Sequence, residues 1–241
     1  MTGLRMFGRS APYYDKIYGS LDYEAGARTL RSLIDARLPE ARTLLDVACG
    51  TGRYLAHLGT RFEGEGLDIL PELLDLARER CPDTRFHQGD MIRFDLGREF
   101  DVVTCLFCSI GYVVTLDNAE RAIATMASHV RPGGLLIVEP WITPEQCWTN
   151  KVTADFVTEP ELKIVRMHTH EVEGRTSVYD IHCLIGTPQG VEHFVEREVL
   201  GLFSREEYES AFRKAGLDVT YQDQALFPGH KYGLYIASRP G

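Results

Sequence analysis

The 241-residue sequence predicts an α/β protein. The expected architecture is a mostly parallel sheet with helices on both faces, a helical cap ahead of it and an antiparallel β-meander inserted late. Three observations predict it. From residue 43 to residue 141 short apolar runs alternate with amphipathic ones, the pattern of parallel strands joined by crossover helices. A glycine-rich turn, "ACGTG", follows the first apolar run directly. Between residues 142 and 203 the helical period disappears and strand-like segments broken by turns take over.

Residues 10–37 read as helical, in two segments meeting near Gly19. Ala25, Leu30, Leu33, Ile34 and Leu38 form the apolar stripe of the second, and Pro39 stops it. "TLLDVA" is a short buried strand and Gly52–Leu58 a helix. "FEGEGLDI" ends in a second strand. "PELLDLARERC" opens with proline in its first turn and continues as an amphipathic helix. "TRFHQGD" makes a third strand, and "FDVVTCLFCS", rich in β-branched and aromatic residues, a fourth. "DNAERAIATMASHV" is a helix with Asp117 as its N-cap, "RPGG" a turn and "LLIVEPW" a fifth strand. The stretch from "ELKIV" to "VLGLF" reads as three antiparallel strands, turning at "EVEGR" and "TPQG". "SREEYESAFRKAGL" carries a capping box, Ser204 with Glu207, and Gly216 closes that helix. "LDVTYQDQ" and "KYGLYIASR" are the final strands. The expected organisation is therefore one domain from residues 1–141 and 204–241, capped by residues 1–38, with an auxiliary sheet at 142–203.

The formal net charge of −9 argues against a nucleic-acid partner, which calls for a basic patch. No apolar stretch of signal-peptide or membrane-span length is present, so the expected location is cytoplasmic, away from the membrane. Six scattered cysteines read as reduced, mostly buried thiols. Cys105 and Cys108 have C-x-x-C spacing but stand at a strand end, where a redox pair would open a helix. His168, His170, His182 and His193 are expected on the polar outer face of the meander, and no metal site is expected.

The chemistry centres on the glycine turn. Gly50 and Gly52, beside Ala48, permit close backbone approach to a ligand at the carboxyl end of the first strand. Asp68, followed by Ile69 at the end of the second strand, can accept both hydroxyls of a ribose. Asp90 and Met91 can take the amino group and the ring of an adenine. A dinucleotide site would want a third glycine where Leu55 stands, and Asp46 would repel a pyrophosphate. Asp46 instead suits a ligand bearing an ammonium group. One ligand answers all three acids: S-adenosylmethionine. Cys105 and Leu106 are expected on its side of the fourth strand.

"LLDVACGTG", "GLDI", "QGDM" and "RPGGLLIVEPW" together resemble the class I S-adenosylmethionine-dependent methyltransferases, whose sheet is Rossmann-like. Further phrases extend the likeness over nearly the whole chain: "YYDKIYGSLDYEAGA", "VEPW", the meander, "LFSREEYESAFRKAGL" and the final glycine-then-"LY" strand. With these, the sequence resembles actinobacterial nucleotide-sugar N,N-dimethyltransferases of the desosamine and mycaminose type, enzymes of antibiotic biosynthesis. The resemblance implies that the N-terminal segment closes over the cofactor, with Tyr14 and Tyr23 near its methionine end. It also implies that Tyr112 stands where those enzymes carry a Tyr or His near the acceptor amine. The chain departs from that group at Leu21, where a Lys is usual, at Tyr232, where an Arg is usual, and at Phe7, where a Tyr is common. A different amine could therefore have replaced the sugar nucleotide.

The expected function is methylation of the amine of a nucleotide-linked amino sugar. O- or N-methylation of another small metabolite and a non-catalytic cofactor-binding module remain open alternatives. Tyr112 and Glu139 are the candidate catalytic residues, able to orient an amine or accept its proton. Ser109, Trp141 and Lys231 are candidate acceptor contacts, with Trp141 offering a stacking face and Lys231 a cation. The partner is a small-molecule acceptor, and the free edges of the meander are compatible with a homodimer.

Overall fold

The computed structural model describes residues 8–149, 151–227 and 232–241. A seven-stranded sheet forms the centre. Its strands in chain order are β1 (Thr43–Val47), β2 (Glu63–Asp68), β3 (Arg85–Gln88), β4 (Phe100–Cys105), β5 (Val130–Val138), β10 (Asp218–Gln222) and β11 (Leu234–Ser238). They lie side by side as β10-β11-β5-β4-β1-β2-β3. The five strands from β3 to β5 are parallel, while β11 is antiparallel to both β5 and β10. The strand order reverses between β1 and β4, and the crevice above that reversal is where open α/β sheets bind ligands.

Helices cover both faces. Helices α2 (Tyr23–Asp35) and α3 (Arg53–Leu58) bury Leu30, Ile34, Leu55 and Leu58 with Leu44 and Val102 of the sheet. On the other face α5 (Leu116–Ser128) and α6 (Arg205–Lys214) bury Ile123, Met126, Tyr208 and Phe212 with Leu45, Val103 and Leu136. Helix α4 (Pro71–Arg80) joins β2 to β3, and the short α1 (Tyr14–Ile17) lies ahead of α2. Ser204 and Glu207 close the expected capping box of α6, and Gly216 (φ 78°) ends it. No described helix is long and apolar enough to cross a membrane.

Three expectations are corrected. The N-cap of α5 is Thr115, whose extended backbone lets its hydroxyl accept from the Asn118 N–H at 3.3 Å; Asp117 falls inside the first turn. "RPGG" lies within β5, and the pairing with β4 shifts register between Phe100 and Val102 to absorb it. The meander has four strands, in the order β6 (Val152–Thr158), β7 (Lys163–Glu173), β8 (Thr176–Thr187) and β9 (Gly190–Gly201). The additional strand, β6, is an edge strand with Val152 and Phe156 exposed, so it lacks the in–out alternation that marks a half-buried strand.

Candidate active site

The ends of β1 and β2 build one wall. The backbone is left-handed at Ala48 (φ 59°), Gly50 (φ 55°) and Gly52 (φ 73°), which makes a tight concave turn ahead of α3. A Cβ on Gly50 would meet only Tyr14 Oη, 3.9 Å away, so the turn leaves open space toward α1. Asp68 Oδ2 accepts from the Gly50 N–H at 2.8 Å, and its Oδ1 from the Leu70 N–H at 2.9 Å. Burial pushes this carboxyl up, and those backbone donors pull it back down. Each oxygen keeps a further acceptor direction for a ligand hydroxyl.

A cavity of about 390 Å³ opens from this turn and ends against the four-stranded sheet. Tyr14, Ala48, Gly50, Asp68, Ile69, Asp90 and Met91 line its first half, with Leu70, Leu73 and Ile92 completing an apolar slot. Ser109, Tyr112 and Trp141 line the second half. There Tyr112 donates to Glu198 Oε2 at 3.0 Å, and burial lifts the Tyr112 hydroxyl well above its ordinary range.

The remaining candidates stand behind the walls. Asp46 is buried with Oδ1 accepting from Thr104 at 2.7 Å, and burial pushes its carboxyl up to about 7. It supports the turn from beneath and does not line the cavity. Gly52 packs against Ala77, where a Cβ would come within 3.2 Å. Cys105 and Leu106 belong to the two core layers. Tyr23 sits among Tyr54, Phe107 and Phe227, with the Arg53 guanidinium 4.1 Å over its ring. Glu139 is fully buried; its Oε2 accepts from the Phe107 N–H at 2.7 Å, where Phe107 and Cys108 both have positive φ. Burial raises this carboxyl to about 7. Glu139 therefore shapes the loop after β4 and does not line the cavity. Lys231 and Phe7 lie outside the described residues.

The sequence reading missed most of the acceptor wall. Tyr18, Phe107, Arg166, His168, Tyr179 and Glu198 all line the cavity, as does Tyr232, the position singled out where an Arg is usual. Tyr18 is one helical turn past Tyr14, a signal that spacing alone could have given. His168 and His170, expected outside, belong to the inner face: His168 lines the cavity and His170 is buried, stacked on Tyr179 at 4.7 Å. His182 and His193 are the pair on the outer face, stacked at 5.5 Å. No cluster of three metal-ligating side chains occurs among the described residues.

The model of a family described as "Methyltransferase domain" matches residues 44–134, from β1 into β5. Over 215 residues the chain is 40% identical to a dTDP-3-amino-3,4,6-trideoxy-alpha-D-glucopyranose N,N-dimethyltransferase of Streptomyces venezuelae, covering 88% of this chain and 91% of the relative. It is 39% identical over 218 residues to a dTDP-3-amino-3,6-dideoxy-alpha-D-glucopyranose N,N-dimethyltransferase of Streptomyces fradiae, covering 89% and 86%. The solved structure of CalS10 with bound S-adenosylmethionine, an amino pentose methyltransferase from Micromonospora echinaspora, superposes with a TM-score of 0.85. That match has 35% identity and covers 99% of this chain and all of that one. On this likeness across almost its whole length, the chain belongs to the family of S-adenosylmethionine-dependent sugar N,N-dimethyltransferases.

Proposed function

We propose that the chain methylates the amine of a nucleotide-linked amino sugar, with S-adenosylmethionine as donor. One observation carries the reading. A single cavity joins the glycine turn and Asp68 to a polar wall built by Tyr112, Arg166 and Glu198. An adenosine-shaped slot at one end and an acceptor pocket at the other are what methyl transfer requires.

The residues present fit the cofactor. The open space above Gly50, the buried Asp68 carboxylate and the slot between Ile69, Leu70, Leu73 and Met91 suit a turn-bound chain, a ribose and a flat ring respectively. When bound, the cofactor supplies an activated methyl group on a positively charged sulfur. Asp68 would accept the ribose hydroxyls, and Met91 and Ile92 would cover the ring while Asp90 would hold its edge. Asp46 and Glu139 support the loops that frame this end and are not proposed to touch ligand.

The protein's share of the chemistry is positioning. The amine lone pair must be held in line with methyl and sulfur at near-attack distance. Tyr112, fixed by Glu198, and Ser109 stand at the cavity wall where an amine would be oriented, and Trp141 offers a face for the sugar or its carrier. The proton that leaves the methylated amine can pass to water or a nearby oxygen. Tyr232, set against Trp141 at 5.5 Å, takes the place where an Arg is usual, so carrier recognition here leans on aromatic contact. A second copy of the chain is proposed to cover the outer face of the four-stranded sheet, where Phe156, Met167, Leu184 and Val195 are exposed. Light scattering on purified protein checks that point.

The function is tested by mass spectrometry of reactions with S-adenosylmethionine and a mixed panel of amino sugar nucleotides, free amino sugars, amino acids and phenols. Gains of one and then two methyl groups on an amino sugar nucleotide support the proposal. A gain on another acceptor alone retains the methyltransferase and discards the substrate.

A further inference from the structure

Arg166 and Glu198 form an ion pair that does not close. Both are 7% exposed, and both line the acceptor half of the cavity. Arg166 Nη2 lies 3.9 Å from Glu198 Oε1, too far for the 2.7–2.9 Å of a charge-assisted hydrogen bond. Arg166 Nη1 is likewise 3.9 Å from Asp155 Oδ2 and 3.4 Å from Tyr18 Oη. Glu198 Oε2 is occupied by the Tyr112 hydroxyl, but Oε1 has no hydrogen-bond partner among the described residues. A buried carboxylate oxygen without a donor is destabilising, and Arg166, bonded to Tyr18 Oη at 3.4 Å, reaches neither carboxylate at hydrogen-bond distance. Arg166 comes from β7 and Glu198 from β9, and both strands lie in one rigid sheet, so the gap is built into the wall.

The gap selects a chemistry. One oxygen atom can sit about 2.8 Å from both Nη2 and Oε1 when the two lie 3.9 Å apart, subtending roughly a right angle. That atom must accept a hydrogen bond from Arg166 and donate one to Glu198. An ammonium satisfies Glu198 but is repelled by Arg166. A phosphate satisfies Arg166 but is repelled by Glu198. A neutral hydroxyl does both. We infer that Arg166 and Glu198 form a specificity-determining subsite for a hydroxyl of the acceptor sugar, next to the position of its amine. The inference rests on the proposed N-methylation of an amino sugar nucleotide and adds which sugars qualify. The subsite takes sugars that keep a ring hydroxyl beside the amine and rejects those deoxygenated there. Glu198 then serves two neighbours at once, Tyr112 through Oε2 and the hydroxyl through Oε1, which ties acceptor orientation to acceptor identity.

The test is a substrate series read against one variant. The acceptors are dTDP-3-amino-3,6-dideoxy-α-D-glucopyranose and its counterparts lacking the 4-hydroxyl, the 2-hydroxyl or both. The wild-type protein should lose ~10–100-fold in kcat/KM when one particular hydroxyl is removed, the worth of a hydrogen bond to charged groups. Glu198→Gln should shrink that ratio severalfold, chiefly through KM, while its affinity for S-adenosylmethionine measured by calorimetry stays that of the wild type. If the wild type takes all four sugars with kcat/KM within about threefold, a bridging water fills the gap and the inference is overturned, while the N-methylation reading stands. A hydroxyl preference that survives intact in Glu198→Gln overturns it as well. If none of the four is methylated, the subsite as inferred is overturned, and the mixed acceptor panel separately decides the N-methylation reading. Should Glu198→Gln fail to fold, Arg166→Lys is read in the same four-sugar series: a shrunken hydroxyl preference supports the subsite, and an intact one overturns it.

Discussion

Tyr112 and Glu139 show how burial divides two residues that chain position makes equivalent. Both follow sheet strands at the carboxyl edge, yet only Tyr112 reaches the cavity. If methyl transfer is positioning catalysis, Tyr112→Phe should lower kcat about tenfold, and a loss near ~10⁴-fold would instead make Tyr112 an obligate base. Glu139 predicts a pH effect on stability. Its folded carboxyl titrates near 7, above the ordinary 4.5, because burial penalises the charged form. Between those values the native state holds a proton that the unfolded chain has released. The group therefore stabilises fully below about 4.5, and the contribution is lost as pH rises through 7. The penalty at neutral pH is on the order of 3 kcal/mol. Glu139→Gln removes that dependence. The melting temperature of the variant minus that of the wild type should rise from pH 4.5 to pH 7.5 and then level off. A difference that is flat across this range would mean the carboxyl titrates normally.

At the scale of elements, α1 is held from two sides. On the cofactor side Asp15 accepts from Thr51 Oγ1 at 2.7 Å and from Arg80 Nη2 at 2.5 Å, and Arg80 also donates to the Thr51 carbonyl. On the acceptor side Lys16 pairs with Glu159 at 2.7 Å, while Ser10 donates to Glu196 from both its N–H and its hydroxyl. A four-residue helix has little stability of its own, so these bonds set its place. Asp15→Ala should release it: limited proteolysis ahead of α2 becomes faster, and the KM for S-adenosylmethionine rises several-fold while the core unfolds at nearly the same temperature. An unchanged proteolysis rate would show that the sheet-side contacts suffice. The same elements explain what the sequence made legible. The parallel strands, α4 and the α6 capping box are signalled by local period and local chemistry, and they were read correctly. The acceptor wall was not, because β7 inverts the usual pattern. Arg166 and His170 are buried on its inner face while Met167 is exposed on the outer one. Polar-in, apolar-out alternation marks a strand facing a polar cavity, and periodicity alone cannot tell it from a strand facing water. Asp46 shows the opposite limit: its position beside the turn is legible, but its burial with Thr104, from a strand far along the chain, is not.

For the whole molecule, the cavity is the place where three parts of the chain meet. The glycine turn comes from the seven-stranded sheet, Tyr14 and Tyr18 from the N-terminal segment, and Arg166, Tyr179 and Glu198 from the four-stranded sheet. A ligand in that space touches all three, so binding should be felt across the fold. At a free concentration of 100 times Kd, a ligand that binds only the native state adds ~2.7 kcal/mol. For a chain of this size that corresponds to a rise of roughly 5–10 °C in Tm. S-adenosylmethionine should produce that rise, and a nicotinamide dinucleotide at the same concentration should produce none, because the glycine turn lacks the third glycine. Hydrogen exchange should then localise the effect. The cofactor alone should slow exchange at residues 48–53, at the end of β2 and in α1, leaving β7–β9 almost as before. Adding an amino sugar nucleotide to the product complex with S-adenosylhomocysteine should extend protection to β8 and β9 and to the turn carrying Tyr112. Protection of β8 and β9 by the cofactor alone would mean that the acceptor wall closes before the acceptor arrives. Protection confined to residues 48–53 in both complexes would mean that the two sheets do not share one binding space, and the acceptor site would have to lie elsewhere.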